Sequence, residues 1–265
     1  MTTVAILGAA GRMGRMLVEA AVKHGGLKVA AAVEVDGSRA IGSDAGSYAG
    51  LVPLGVAITN AANAAPADVV VDFTFHSAVP GNIANAIAKG AKGYVLGTTG
   101  LDEGEKAAVR DAAGKMPVVW ASNYSLGVNI LTALVESCAA KLGDAYDIEI
   151  TEMHHRHKKD APSGTALTLA EAAAKWRGYD LDAVAAYGRH GMSGERPVEQ
   201  IAIHSLRGGD VVGDHTVVFA GEGERIELTH KASSRSAFAG GAMVAAAWLP
   251  GRAPGIYSMR DVLHV

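Results

Sequence analysis

The sequence predicts an α/β protein: a doubly wound parallel sheet, followed by a second α+β domain on a mixed, largely antiparallel sheet. Three observations carry this. An apolar run at residues 4–7 is followed by glycines at 8, 11 and 14 and then by an amphipathic stretch. Strand-like and helical runs alternate as far as residue 123, the pattern of parallel strands joined by crossover helices. Beyond that point strand-like runs follow one another without helices between them, as in an antiparallel or mixed sheet.

Element by element, residues 4–7 form a strand, 12–24 a helix and 27–33 a second strand, which is one βαβ unit. Residues 69–73, 94–96 and 118–121 are the next strands, with helices at 78–89 and 102–115 between them. The Gly- and Ser-rich stretch 36–53 reads as a long loop over the strand ends. Residues 128–142 form a helix, 147–154 a strand and 165–176 a helix. Three strands follow at 200–206, 216–220 and 225–231, with turn signals at Gly208-Gly209-Asp210 and Gly221-Glu222-Gly223. The helix at 236–249 is placed back against the first domain. The boundaries are therefore 1–125 with 236–265 for one domain and 126–235 for the other.

Composition removes several function classes. The formal net charge is −3, which offers no general affinity for nucleic acid or an acidic membrane surface. Cys138 is the single cysteine, so an internal disulfide and a multi-cysteine zinc site are excluded, and a reducing compartment, the cytoplasm, is expected. The chain enters a strand pattern directly, without the basic segment and long apolar core of a secretory leader. No apolar run reaches the about 20 residues that a membrane span needs.

Gly8, Gly11 and Gly14 stand where strand one turns into a helix. Glycines there permit a tight turn, close approach of a pyrophosphate and close helix–strand packing, so the unit reads as a Rossmann-type dinucleotide site spanning Gly8, Ala9, Ala10, Gly11, Arg12 and Met13. Glu34 ends the second strand, where a carboxylate accepts hydrogen bonds from a ribose 2′-OH. Gly97-Thr98-Thr99 and Ala121-Ser122-Asn123-Tyr124 each follow a strand, and ligands of open α/β sheets bind outside the carboxyl ends of strands. Both loops are expected to offer backbone and hydroxyl groups to a nicotinamide.

Residues 152–165 read EMHHRHKKDAPSGT, a segment suited to gathering an anion and moving protons near neutral pH. His154 and His155 are adjacent at a strand end, so a regular strand points them to opposite faces and gives them different tasks. Ser163-Gly164-Thr165 opens the next helix, whose first N–H groups suit a carboxylate. A metal centre from Glu152, His154, His155 and His157 is the alternative. Its spacing does not match HExxH and the neighbouring cations oppose it, so no metal is expected.

The segments GAAGRMG (8–14), DFT (72–74), GTTG (97–100), NYSLGVN (123–129), EMHHRHKKDAPSGTA (152–166), GDVVGDHTVVF (209–219) and THKASSR (229–235) together resemble the dihydrodipicolinate reductase family of bacterial diaminopimelate and lysine synthesis. The resemblance covers essentially the whole chain. It implies an NAD(P)H-dependent reductase acting on a cyclic dicarboxylate, with His154 as proton donor/acceptor and Lys158 as second proton donor. It implies His155, Gly164 and Thr165 as substrate-binding residues, the first domain as the dinucleotide domain, and a homotetramer joined through the second. Some members carry arginine after the strand-two acid and again past DFT; this chain has Val35 and Phe75 there. Either NADH or NADPH is therefore expected to serve, with NADH modestly favoured. Tyr124 stands where phenylalanine is usual, a change expected to keep the ring and leave function intact. A third reading, a protein that binds the dinucleotide without turnover, is distinguished by tolerance of changes at His154 and Lys158.

Overall fold

Runs such as VVVD at Val69–Asp72 and GYVL at Gly93–Leu96 have every residue buried, as parallel strands do when both faces are covered. The computed structural model, which describes all 265 residues, places them in the first of two units. These are Met1–Leu126 with Ser236–Val265, and Gly127–Arg235.

The chain begins with β1 (Thr2–Leu7), α1 (Arg12–Lys23), β2 (Leu27–Val33), α2 (Ala45–Tyr48) and β3 (Ile58–Thr59). It continues with β4 (Val69–Asp72), α3 (Val79–Ala88), β5 (Gly93–Leu96), α4 (Glu103–Ala113) and β6 (Pro117–Trp120). The second unit then holds α5 (Leu126–Leu142), β7 (Asp147–His154), α6 (Gly164–Arg177), α7 (Leu181–Val184), β8 (Ala185–Ala186), β9 (Ile201–Arg207), β10 (Gly213–Gly221) and β11 (Glu224–Ala232). The chain returns to the first unit through α8 (Ser236–Trp248), β12 (Gly255–Tyr257) and α9 (Met259–Leu263).

The first sheet has the order β12-β6-β5-β4-β1-β2-β3, all parallel. Its side chains alternate between two cores: Val69 and Val71 pack with α1 and α8, and Val70 packs with α3 and α4. The strand order reverses between β1 and β4, so the loops after these two strands diverge and leave the ligand crevice of an open sheet. The stretch expected as a plain loop over 36–53 contains α2. Asp44 caps that helix at Ser47 N–H and also accepts from the N–H groups of Leu54, Gly55 and Val56, which folds the segment back on itself.

The second sheet is mixed, in the order β11-β10-β7-β9-β8. β10 pairs antiparallel with β11 and with β7, while β7–β9 and β9–β8 are parallel. α5 and α6 cover one face, packing Leu131, Val135 and Leu169 against Ile148, Ile150, Ile203 and Phe219. The other face carries Glu149, bonded to Arg189, Arg196 and His204. One sequence expectation needs correcting. The helical stretch Leu126–Ala145 spans 20 residues with mean hydropathy 1.3, long and apolar enough by those measures to cross a membrane. Leu131, Val135 and Ala139 on it lie in the core of the second unit and Glu136 is buried as well, while Ile130 and Leu134 are exposed.

Candidate active site

At the end of β1 the chain turns at once into α1. Gly8 takes φ +65°, and a methyl on Gly14 would lie 2.0 Å from the Gly8 carbonyl oxygen, so the helix packs on the turn only with glycine there. Gly11 is the N-cap residue and makes no side-chain cap, whereas Asp102 caps α4 and Ser163 caps α6. The uncapped start of a 12-residue helix, at the sheet's switch point, presents N–H donors to an anion. Arg12 is exposed and Met13 half-buried beside it. Glu34 Oε1 accepts the Ala10 N–H at 2.8 Å, which holds the carboxylate over the turn. These residues fit a dinucleotide, with pyrophosphate at the helix start and ribose at Glu34.

Three of the sequence-assigned residues also have a task in the fold. Ala9 is 2% exposed, and its N–H donates to the Val33 carbonyl, so it ties the turn to β2. Thr98 is 5% exposed, with its hydroxyl 3.2 Å from Asp72 Oδ1, which ties the loop after β5 to the end of β4. Tyr124 is 1% exposed and its hydroxyl donates to the carbonyls of Val119 and Leu96. Its ring is core, and the hydroxyl that phenylalanine lacks joins the ends of β5 and β6. Burial pushes its pKa well above the usual tyrosine value. Gly97 N–H donates to the Asp72 carbonyl, and Ala121 N–H to the Leu96 carbonyl. Thr99 and Ser122 are exposed, and Asn123 Oδ1 accepts the Ser125 N–H.

Asp72 was not singled out by the sequence. It is fully buried at the end of β4 and accepts from Tyr94 Oη at 2.5 Å, Thr74 Oγ1 at 2.6 Å, and Thr74 N–H and Asn82 Nδ2 at 2.9 Å. No cation is among these donors. The carboxylate thereby fixes the loops after β4 and β5.

In the second unit β7 alternates half-buried and buried residues, and its buried face ends in Glu152 and His154. Glu152 Oε2 lies 2.6 Å from His154 Nδ1. Arg207, paired in register with His154, reaches both Glu152 oxygens at 2.8 and 2.9 Å. Ser163 N–H adds a bond to Oε1 at 3.1 Å. Burial opposes the Glu152 charge, but the bonds from Arg207, His154 and Ser205 outweigh it and hold the pKa down at about 2. His215, 4% exposed, sits with its ring centroid 5.1 Å from that of His154 and its Nε2 3.0 Å from Ser163 Oγ. Burial, and then the nearby His154, lower its pKa to about 4.

Beyond β7 the backbone keeps an extended pairing: His155 N–H donates to the Val211 carbonyl and Gly208 N–H to the His154 carbonyl. His155 Nδ1 is buried, and its ring centroid lies 6.1 Å from that of His157. Lys158 Nζ bonds Asp160 at 2.8 Å. Ser163 caps the N–H of Ala166, leaving Gly164 and Thr165 as the first two residues of a 14-residue helix, where N–H groups lie beyond the helix's own acceptors. No group of three or more His, Cys, Asp or Glu side chains has the arrangement of a metal site. The spacing of Glu152 and His154, two apart on a strand, places them on one face and was readable from the sequence; Arg207 and His215 arrive only through strand register.

A parallel sheet with a glycine turn at its switch point, and a second unit carrying a carboxylate–imidazole pair beside a cationic loop, define a nicotinamide-dependent oxidoreductase class. Residues 2–124 match the family model described as dihydrodipicolinate reductase, N-terminus, and residues 127–263 that of its C-terminus. A 4-hydroxy-tetrahydrodipicolinate reductase from Anaeromyxobacter dehalogenans is 55% identical over 265 residues, covering 99% of this chain and 98% of the relative. One of the same name from Alkalilimnicola ehrlichii is 52% identical over 264 residues, with 99% and 98% covered. Among solved structures, a dipicolinate-bound dihydrodipicolinate reductase from Paenisporosarcina sp. TG-14 shares the fold with a TM-score of 0.77, at 23% identity and 98% coverage of both chains. The chain belongs to the dihydrodipicolinate reductase family.

Proposed function

We propose that the chain reduces the cyclic dicarboxylate 4-hydroxy-tetrahydrodipicolinate to tetrahydrodipicolinate, in diaminopimelate and lysine synthesis. One hydride and one proton are added and one water is lost. The observation that carries this reading is the Glu152–His154 pair, 2.6 Å apart, beside Lys158 and the start of α6. A nicotinamide held at the first unit supplies the hydride. Gly8, Ala9, Ala10, Gly11, Arg12 and Met13 hold its pyrophosphate side, Glu34 its ribose, and Gly97, Thr98, Thr99, Ala121, Ser122, Asn123 and Tyr124 its nicotinamide side.

His154 gives or takes the proton at Nε2, because Nδ1 is committed to Glu152. Lys158 is the second proton donor. The imidazole of His155 and the N–H groups of Gly164 and Thr165 bind substrate carboxylates. A homotetramer assembled through the second unit and a cytoplasmic location belong to the same reading. They are supported by the uncovered face and edge strands of the second sheet and by the lone Cys138.

The test is loss of reduced-nicotinamide absorbance with the cyclised product of pyruvate and aspartate semialdehyde, using NADH and then NADPH. Turnover that persists in chelator is expected. No turnover with either cofactor, or activity abolished by chelator, overturns the reading.

A further inference from the structure

Glu152 is 1% exposed and accepts from three directions: its own strand through His154, β9 through Arg207, and the residue preceding α6 through Ser163. A guanidinium that meets both oxygens neutralises the buried carboxylate, and the imidazole fills one of the acceptor sites that remain. An ionised carboxylate accepts only, and therefore Nδ1 of His154 carries the proton whether the ring is neutral or charged. Nε2 is left as the titrating atom. An added methyl on Gly213 would lie 3.0 Å from that Nε2, so the glycine keeps the edge of the ring clear of a side chain.

We propose that Glu152, fixed by Arg207 and Ser163, is a positioning residue that sets the tautomer of His154, aims Nε2 at the substrate and stabilises the charged ring. This deepens the reading of His154 as the proton-transfer group and rests on it. Lys158, paired with Asp160, and His230 act on His215, whose ring packs against that of His154, and Arg207 shares Glu152 with the His154 ring. Glu152 is the anion bonded to it. Without that charge, His154 faces Arg207 and Lys158 with no bonded counter-ion, whereas without Arg207 the Glu152 charge acts on His154 alone. The two losses must act in opposite directions.

The experiment uses the full-length protein with ¹⁵N-labelled histidine, the His154 signals being assigned by their loss in His154→Gln. In the unsubstituted protein the neutral ring is expected to carry its proton on Nδ1. Glu152→Gln is expected to move the His154 titration to lower pH by about one unit and Arg207→Met to higher pH by a similar amount, with the same ordering in the pH dependence of turnover. A proton on Nε2 in the neutral ring, or shifts absent or of the same sign in both variants, overturns the inference. The histidine signals decide this without turnover, so an enzyme inactive toward the dicarboxylate would refute the proposed reaction separately. Should Glu152→Gln fail to fold, the tautomer in the unsubstituted chain and the direction of the Arg207→Met shift still decide.

Discussion

Two buried carboxylates end strands in this molecule, and they are built differently. Asp72, at the end of β4, is surrounded by a phenol, a backbone N–H, threonine hydroxyls and an amide. Glu152, near the end of β7, is bonded by a guanidinium and an imidazole. Neutral donors hold a charge still without changing their own protonation; Tyr94, bonded to Asp72, is pushed well above the usual tyrosine pKa by burial and then by Asp72. An imidazole beside a carboxylate stays able to exchange a proton at its far nitrogen. The first arrangement makes an anchor for loops, and the second makes a working group.

The largest effect expected from breaking this contrast is at His154. His154→Gln removes proton transfer and is expected to lower turnover by about 10²–10⁴-fold, with little change in KM. His155→Ala is expected mainly to raise KM, as its proposed role of holding substrate requires. Steady-state kinetics on both variants checks the division; a rise in KM alone for both would abolish it.

Asp72→Ala should damage stability instead. It leaves the Tyr94 hydroxyl and the Thr98 and Asn82 groups without their shared acceptor, a loss of about 3 kcal/mol or more. At this chain length that lowers the melting temperature of the first unit by roughly 6–12 °C. The shape of the pH–rate profile should stay as in the unsubstituted protein, unlike that of Glu152→Gln. A thermal melt and a pH series together distinguish the anchor from the working group.

The same contrast predicts where acid acts first. His215 is folded with a pKa of about 4 against an ordinary value of 6.5, so the unfolded chain binds its proton more readily. Its contribution to stability is fully present above pH 6.5 and is lost as pH falls through about 4, amounting to roughly 2–3 kcal/mol. Glu152 and Glu149, both held at about 2, lose theirs at lower pH, below the ordinary glutamate range. Urea unfolding between pH 7 and about 4 should therefore show a decline that His215→Asn flattens. An unchanged slope in that variant would show that His215 is not buried neutral.

The contrast also explains what the sequence disclosed. Alternating runs of buried valines reveal β4, β5 and β6, and the period of two along β7 puts Glu152 and His154 on one face. By contrast, β3 and β12 have two and three residues, too few to show a period. Arg207 and His215 lie 55 and 63 residues beyond Glu152 in the numbering, and only the pairing of β9 and β10 with β7 brings them in. Thr98 and Tyr124 have a second task that the sequence does not show. Polar side chains after parallel strands usually face ligands, and these two also bond Asp72 and the carbonyls of Leu96 and Val119.

The smallest effect concerns the cofactor, and it uses a third carboxylate, Glu34, which neighbours solvent. Its Oε1 is held by the Ala10 N–H, at the place proposed here to accept a ribose 2′-OH and repel a 2′-phosphate. Val35 and Phe75, 73% and 68% exposed, carry no charge to offset that repulsion. Arg12 and Arg39 are exposed as well, and either reaches toward a phosphate with solvent screening between. Charge interactions at such exposure contribute up to about 1 kcal/mol, so NADH is expected to be favoured by roughly fivefold, with NADPH still used. Val35→Arg should shift the ratio toward NADPH by a similar factor, and added salt should shrink that shift. The deciding measurement is kcat/KM with each cofactor at two ionic strengths. A preference for NADPH at low salt would mean that Arg12 or Arg39 governs the pocket and that Glu34, unlike Asp72 and Glu152, can be turned aside.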